Sequence, residues 1–348
     1  MFYIHQTTCI SAQQTFADAD IYRLNESFDN KLQVVEPDYA AIPPNILRRM
    51  GKAVRMGVGS AMLLIKDQTP DGIIIGTANG GMEDCIKFLN QIISYQEGIL
   101  TPGNFVQSTP NSIASQVSLL STNKGYNITH VHRGLAFENA IIDAVMLVKE
   151  DPAKNYLLGG VDEISAYNYN IDYLAGWYKK ETVFNRELYL SNTNGSMAGE
   201  GAAMFFINGI KAESTARLEA IITLHGEDLE NLTNQLQQFI GQRLKPNEKI
   251  ELLLTGENGD PRYTFYSEAC EGLVGPDVTV ARFKHMTGEF ATASAISLWL
   301  CCEILLKQSL PAHMIKKQGS NRRYEKILIY NNYKGVQHSF MLVARNYS

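Results

Sequence analysis

His130 and His132 alternate within Asn127-Ile-Thr-His-Val-His-Arg-Gly134, a segment that reads as a strand, so their side chains face one side. His285 and Glu289 share a second segment, Lys284-His-Met-Thr-Gly-Glu289. Brought together, these four groups could hold a metal ion or form an acid–base pair. No ligand spacing of zinc type is present, and strand-end histidines are commonly just hydrogen-bonded, so satisfied histidines and no metal are expected. The five cysteines, Cys9, Cys85, Cys270, Cys301 and Cys302, are odd in number and lack Cys-x-x-Cys spacing, which indicates neither a disulfide framework nor a zinc site. Cys85, Cys301 and Cys302 fall in predicted helices, where a cysteine packs as a small hydrophobe. Gly76-Thr-Ala-Asn-Gly-Gly81 follows an apolar run and could cradle a phosphate, which would make this a nucleotide-binding chain. It lacks the Gly-x-Gly-x-x-Gly spacing and the lysine of a P-loop, so that signal is weak.

The elements that must position these residues alternate between strand and helix. Residues 1–6 read as a first strand and 71–76 as a buried strand entering a tight turn. A helix over 83–95, a proline- and asparagine-rich loop over 101–111, a helix over 112–120 and a strand over 127–132 follow. Between 135 and 149 the apolar positions Leu135, Ala136, Ala140, Ile141, Ala144, Val145 and Val148 recur at helical spacing with little polar surface, which predicts a central helix. Strands at 156–159 and 202–207 complete one series. After a polar segment at 211–215 the pattern begins again, with strands at 218–224, 250–254 and 278–283, a helix over 228–243, an apolar helix over 290–306, and closing strands at 326–330 and 339–344. This alternation predicts a mainly parallel sheet covered by helices on both faces.

In order and spacing, the segment ending at Gly134, its helix, Gly159-Gly-Val-Asp-Glu163, Gly199-Glu-Gly-Ala202 and Lys284 to Glu289 resemble the thiolase-fold β-ketoacyl synthases, from about Ile42 to the C-terminus. The resemblance implies an α/β, five-layer αβαβα sandwich of two similar halves, residues 1–210 and 211–348, and no cofactor. In such synthases a cysteine sits where a strand turns into a central helix, because backbone N–H groups and the helix dipole stabilise a thiolate there. Matching Ile128-Thr129 and Ala140-Ile141 to the family pattern puts Gly134 at that cysteine. On the family's Lys-x-x-x-Gly-His segment Lys284 is retained and the histidine becomes Glu289, whose ionised carboxylate would repel a developing enolate. The other family histidine falls at Thr255, in Leu254-Thr-Gly-Glu-Asn-Gly-Asp260. Of the family's glycine-rich C-terminal loop, with its gating phenylalanine, only Gly335 survives in Asn331-Asn-Tyr-Lys-Gly-Val-Gln-His338.

A site without nucleophile and base implies no condensing activity. The expected function is then a non-catalytic partner of a cysteine-bearing synthase, similar to the chain-length factors of polyketide and aryl-polyene pathways. Its partners would be that synthase in a heterodimer, or a second copy in a homodimer, and an acyl carrier protein. The alternative is an active 3-oxoacyl-[acyl-carrier-protein] synthase or acyltransferase with an atypical site. By the same resemblance, Phe105, Gln107, Thr109 and Asn111 belong to the portion that reaches towards the partner's acyl tunnel and could limit chain length. Arg48, Lys52 and Arg55, at spacings of four and three, would share one helical face. That face is either a dock for the acidic carrier or an internally paired basic surface.

Size and composition agree with this class. The 348 residues exceed what one hydrophobic core usually serves, and 45% hydrophobic with 19% charged residues provide for a folded α/β chain. A net charge of −5 argues against a general nucleic-acid binder. The N-terminus lacks the basic and long apolar regions of a signal peptide, and the apolar stretch 290–306 is too short to span a bilayer, so a cytoplasmic location is expected.

Overall fold

Alternate residues along the strands serve opposite faces of the sheet, and that period-2 division organises the molecule. The computed structural model describes residues 1–66 and 68–346. The chain first runs β1 (Phe2–Ile10), β2 (Lys31–Leu32), α1 (Pro44–Leu47), α2 (Lys52–Leu64), β3 (Gly72–Gly76), α3 (Met82–Ser94), α4 (Pro102–Gln107), α5 (Ser112–Ser121), β4 (Tyr126–His130), α6 (Ala136–Glu150), β5 (Tyr156–Asp162), α7 (Ala166–Leu174), β6 (Ala198–Gly199) and β7 (Gly201–Asn208). It continues as β8 (Ala216–His225), α8 (Leu229–Arg243), β9 (Leu252–Thr255), α9 (Thr264–Val274), β10 (Thr279–Arg282), α10 (Lys284–Thr287), α11 (Ala293–Lys307), β11 (Ile315–Lys317), β12 (Lys326–Tyr333) and β13 (Gln337–Arg345).

Within the main sheet the order β1-β7-β5-β3-β4 is repeated by β8-β13-β12-β9-β10, and the two runs meet where Phe2–Ile4 pairs with Ala216–Leu218. Directions repeat too: β3 is parallel to both its neighbours and β5 antiparallel to β7, as β9 is parallel to both of its own and β12 antiparallel to β13. Helices α2 and α5 cover the outer face of the first run and α8 and α9 that of the second, while α6 and α11 lie between them. Ile73 and Ile75 accordingly pack outward under α2 and α5, whereas Ile74 packs inward against α6. The result is a five-layer αβαβα arrangement. Its central helix α11 is buried continuously from Ala293 to Cys302, because it has sheet on two sides. Among the described residues no helix is long and apolar enough to cross a membrane.

One asymmetry breaks the repeat. The outer edge of β10 is covered by β11, but among the described residues the equivalent edge of β4 has no strand beside it.

Several local expectations differ from the structure. Residues 102–107 form α4 rather than loop, since Pro102 stands in the first turn, where a missing N–H costs nothing. Helical structure around residues 46–55 is interrupted: α1 ends at Leu47 and α2 begins at Lys52 behind Gly51. Gly51 takes an extended backbone at the start of α2, and a Cβ there would lie 2.2 Å from Asp84 Oδ2, at the tip of that side chain. β4 ends at His130, which leaves His132 outside the strand.

Candidate active site and its closure

At the end of β4 the chain turns into a short 3₁₀ segment, Arg133–Leu135, and then into α6. Arg133 holds a left-handed backbone, φ 47°, unusual for a long side chain. Next to it Gly134 has no room for a side chain. A Cβ there would lie 2.3 Å from Tyr333 Cβ and 2.4 Å from its Cγ. The Gly134 N–H, which at a helix N-terminus could face a thiolate, donates instead to Gln337 Oε1 at 2.9 Å. Tyr333 and Gln337 flank the β12–β13 hairpin, whose turn is fixed by Asn332 Oδ1 accepting from Gly335 N at 2.8 Å. Gly335 has φ 72° and would place a Cβ 2.4 Å from the Tyr263 ring, so glycine is required there. Lys334 ties the hairpin to α7 through Asp172 Oδ1 at 2.6 Å. The cavity left beside Tyr333, lined by Asp162, Tyr169, Tyr178 and Phe290 among others, measures about 30 Å³. That is about the share of liquid volume of one water molecule.

Deeper in the protein, Lys284 is fully buried and its Nζ lies 2.7 Å from Glu289 Oε1. Asn258 Nδ2 donates to the other carboxylate oxygen at 2.9 Å. Glu289 is therefore the counter-ion of a buried lysine. Thr255, at the end of β9, donates to Ser267 Oγ at 3.1 Å and accepts from Glu257 N at 3.2 Å. The side chain that reaches Glu289 is thus Asn258, which the sequence did not single out.

The glycine-rich turn after β3 is organised by a buried carboxylate. Asp162 Oδ1 accepts from Ala78 N at 2.9 Å, Asn79 N at 2.8 Å and Thr77 Oγ1 at 3.0 Å, while Oδ2 accepts from Thr292 Oγ1 at 2.8 Å. These amides are committed to Asp162, so the turn is not a phosphate cradle. Burial raises the Asp162 carboxyl above its ordinary range, against the pull of those hydrogen bonds.

Glu138, in the first turn of α6, is also fully buried. Ser339 Oγ donates to its Oε1 at 2.8 Å, and its Oε2 has no hydrogen-bond partner among the described residues. Burial pushes this carboxyl from 4.5 up to about 7. The folded state then holds a proton that the unfolded state releases, so stability falls as pH rises through the window from 4.5 to about 7. Glu138→Gln removes the ionisation and should raise the urea midpoint at about pH 8, by up to ~3 kcal/mol of stability, while changing it little at about pH 5. An equal effect at both pH values would contradict this assignment.

Residues 24–175 match the family model described as beta-ketoacyl synthase, N-terminal domain. No curated protein matches the chain. Among solved structures it is similar to a beta-ketoacyl synthase from Burkholderia phymatum STM815, at 15% identity, with 99% of each chain covered and a TM-score of 0.81. The fold is the thiolase-like fold of the ketosynthases. A ketosynthase in complex with its chain length factor from Xenorhabdus doucetiae matches at 13% identity, covering 99% of this chain and 98% of that one, with a TM-score of 0.78. A type II PKS acyl-carrier protein in complex with its ketosynthase bound to the hexaketide matches at 12% identity, 99% coverage of both chains and a TM-score of 0.78.

Within this ketosynthase-like frame the histidines are dispersed among separate partners. His130 Nε2 pairs with Asp143 Oδ2 at 3.0 Å, His132 Nδ1 with Asn139 Nδ2 at 2.8 Å, and His285 Nε2 with His313 Nδ1 at 2.9 Å. They do not converge on Glu289, which Lys284 and Asn258 hold. Burial drives His285 down to about 3, so it stays neutral in the folded chain. The interrupted helix also divides the basic face. Lys52 is ion-paired with buried Glu200, and Arg55 with Glu36 at 2.9 Å, while Arg48 is exposed. Of the residues placed near a partner tunnel, Phe105 is exposed on α4 and packs on Phe88, with ring centroids 5.3 Å apart. Thr109 is exposed as well. Gln107 is turned inward, bonded to Gly51 N and Arg49 O, and Asn111 is held by Thr129 and Ser115 at 2.8 Å each.

Proposed function

We propose that this chain is a non-catalytic, chain-length-factor-like partner of a cysteine-bearing β-ketoacyl synthase, built as two similar halves, 1–210 and 211–348. The observation that carries the reading is Tyr333 seated on Gly134. It takes the space a nucleophilic side chain would need, while Gln337 takes the N–H that would support one. Glu289, bound to Lys284, offers no neutral imidazole for decarboxylation.

A second observation supports pairing with another chain. Among the described residues 24 large apolar side chains are exposed, of which 14 lie between residues 82 and 174 and three beyond residue 210. Of this group, Leu119, Tyr126, Val131 and Met146 lie on β4, directly after it, or on the helices packed against it, and exposed apolar groups beside an open strand edge mark an interaction surface. Phe105 and Thr109 would face the partner's acyl chain, and the carrier protein would approach beside Arg48.

The test offers a carrier-bound acyl thioester to this chain together with a cysteine-bearing synthase. The acyl group should reside on the synthase, and the lengths of its products should change when this chain is added. Unchanged products and no association between the two would overturn the reading.

A further inference from the structure

The uncovered β4 edge carries a one-sided charge. Residues 98–137 contain no aspartate or glutamate, and their formal charges are Lys124 and Arg133, in a chain whose net charge is −5. Both side chains are exposed, and neither is ion-paired among the described residues. Asp143, beneath the strand on α6, is committed to His130 Nε2 and to the Tyr126 hydroxyl, each at 3.0 Å.

These two cations sit at opposite ends of the strand. Lys124 precedes β4 and Arg133 follows it, in the strained turn before α6. When two copies of a strand pair antiparallel about a two-fold axis, the start of one lies against the end of the other. An axis through Ile128 sets Tyr126 against His130 and Lys124 against His132, with Arg133 one residue further on. An axis between Ile128 and Thr129 sets Lys124 directly against Arg133. In the second register cation meets cation directly, in the first Lys124 lies one residue from the partner copy's Arg133, and symmetry makes each approach twice. Like charges placed opposite one another across strands destabilise the pair, and no carboxylate on this edge compensates.

The geometry points to a hetero-partner: the β4 edge fits a different chain of the same fold whose own edge carries carboxylates opposite Lys124 and Arg133, and it disfavours a second copy of itself. This rests on the pairing reading above and adds the chemistry of the partner. The apolar surround supplies area to either kind of partner, and the charges choose between them.

Sedimentation of the full-length chain at low salt tests this without the natural partner. Wild type should self-associate weakly. K124E and R133E each place a carboxylate against the remaining cation, and each should self-associate at least tenfold more tightly. The double variant K124E/R133E, now acidic at both ends, should again self-associate weakly alone, yet form a one-to-one complex when mixed with wild type. Raised salt should weaken the complexes that the charge changes create. Wild type dimerising as tightly as the single variants would overturn the charge selection and leave the edge pairing standing. No association by any variant or by the mixture would overturn the edge pairing as well.

Discussion

Gly134→Ala should destabilise the chain by about 3 kcal/mol, a large cost for one added methyl group. The cause is specific: the new Cβ would stand 2.3 Å from Tyr333 Cβ and 2.4 Å from its Cγ. Those atoms are anchored at the end of β12, so they cannot swing aside as the tip of a flexible side chain could. The pattern of rescue is more telling than the loss itself. Tyr333→Ala keeps the Cβ that clashes and should rescue Gly134→Ala poorly. Tyr333→Gly removes it and should restore much of the lost stability, after allowance for its own cost in a strand. Urea unfolding of the single and double variants gives the coupling directly. Additive losses in Gly134→Ala/Tyr333→Gly would mean that Tyr333 does not close this site.

Lys284→Met should cost 3–5 kcal/mol, roughly what is lost when one partner of a buried ion pair is removed. Glu289 would be left as a buried carboxylate with only Asn258 beside it. Replacing both charges, as Lys284→Met/Glu289→Leu, should recover most of that loss, because a buried pair replaced by packed apolar groups is often close to neutral. A catalytic lysine and glutamate would show another pattern, in which stability changes little and turnover disappears. Equal destabilisation of the single and double variants would show that the two charges do not compensate each other.

The parts of the fold that were legible in the sequence are those with strong periodicity. The all-round apolar character of α11 marked a helix with protein on every side, and the apolar positions of α6 marked its central partner. Segments governed by local backbone chemistry were harder. α4 is short and opens with Pro102 and Gly103, so its composition reads as loop. α7 is rich in tyrosine and asparagine and has no buried stripe to betray its period. The single helical face expected for Arg48, Lys52 and Arg55 is divided, since their spacing presumes a continuous helix, whereas α1 ends at Leu47 and Lys52 and Arg55 lie on α2.

At the candidate site, motif order singles out Gly134, Lys284 and Glu289, and the structure pairs the latter two. What occupies the space around them was not legible. Gln337 meets Gly134 across 203 residues of sequence, and no local pattern encodes such a contact. Tyr333 and Gln337 lie in the one segment where the resemblance had thinned to Gly335, and that loss of pattern was the available signal. Asn258, three residues beyond Thr255, was hidden because matching by position does not reveal which side chain of a loop turns inward.

The intact mass of this chain after incubation with a carrier-bound acyl thioester, beside a cysteine-bearing synthase as control, tests the closed site most directly. The synthase should gain the mass of the acyl group while this chain gains none. A stoichiometric acyl adduct on this chain would contradict the account, because it would require a nucleophile and a cavity that Tyr333 and Gly134 leave no room for.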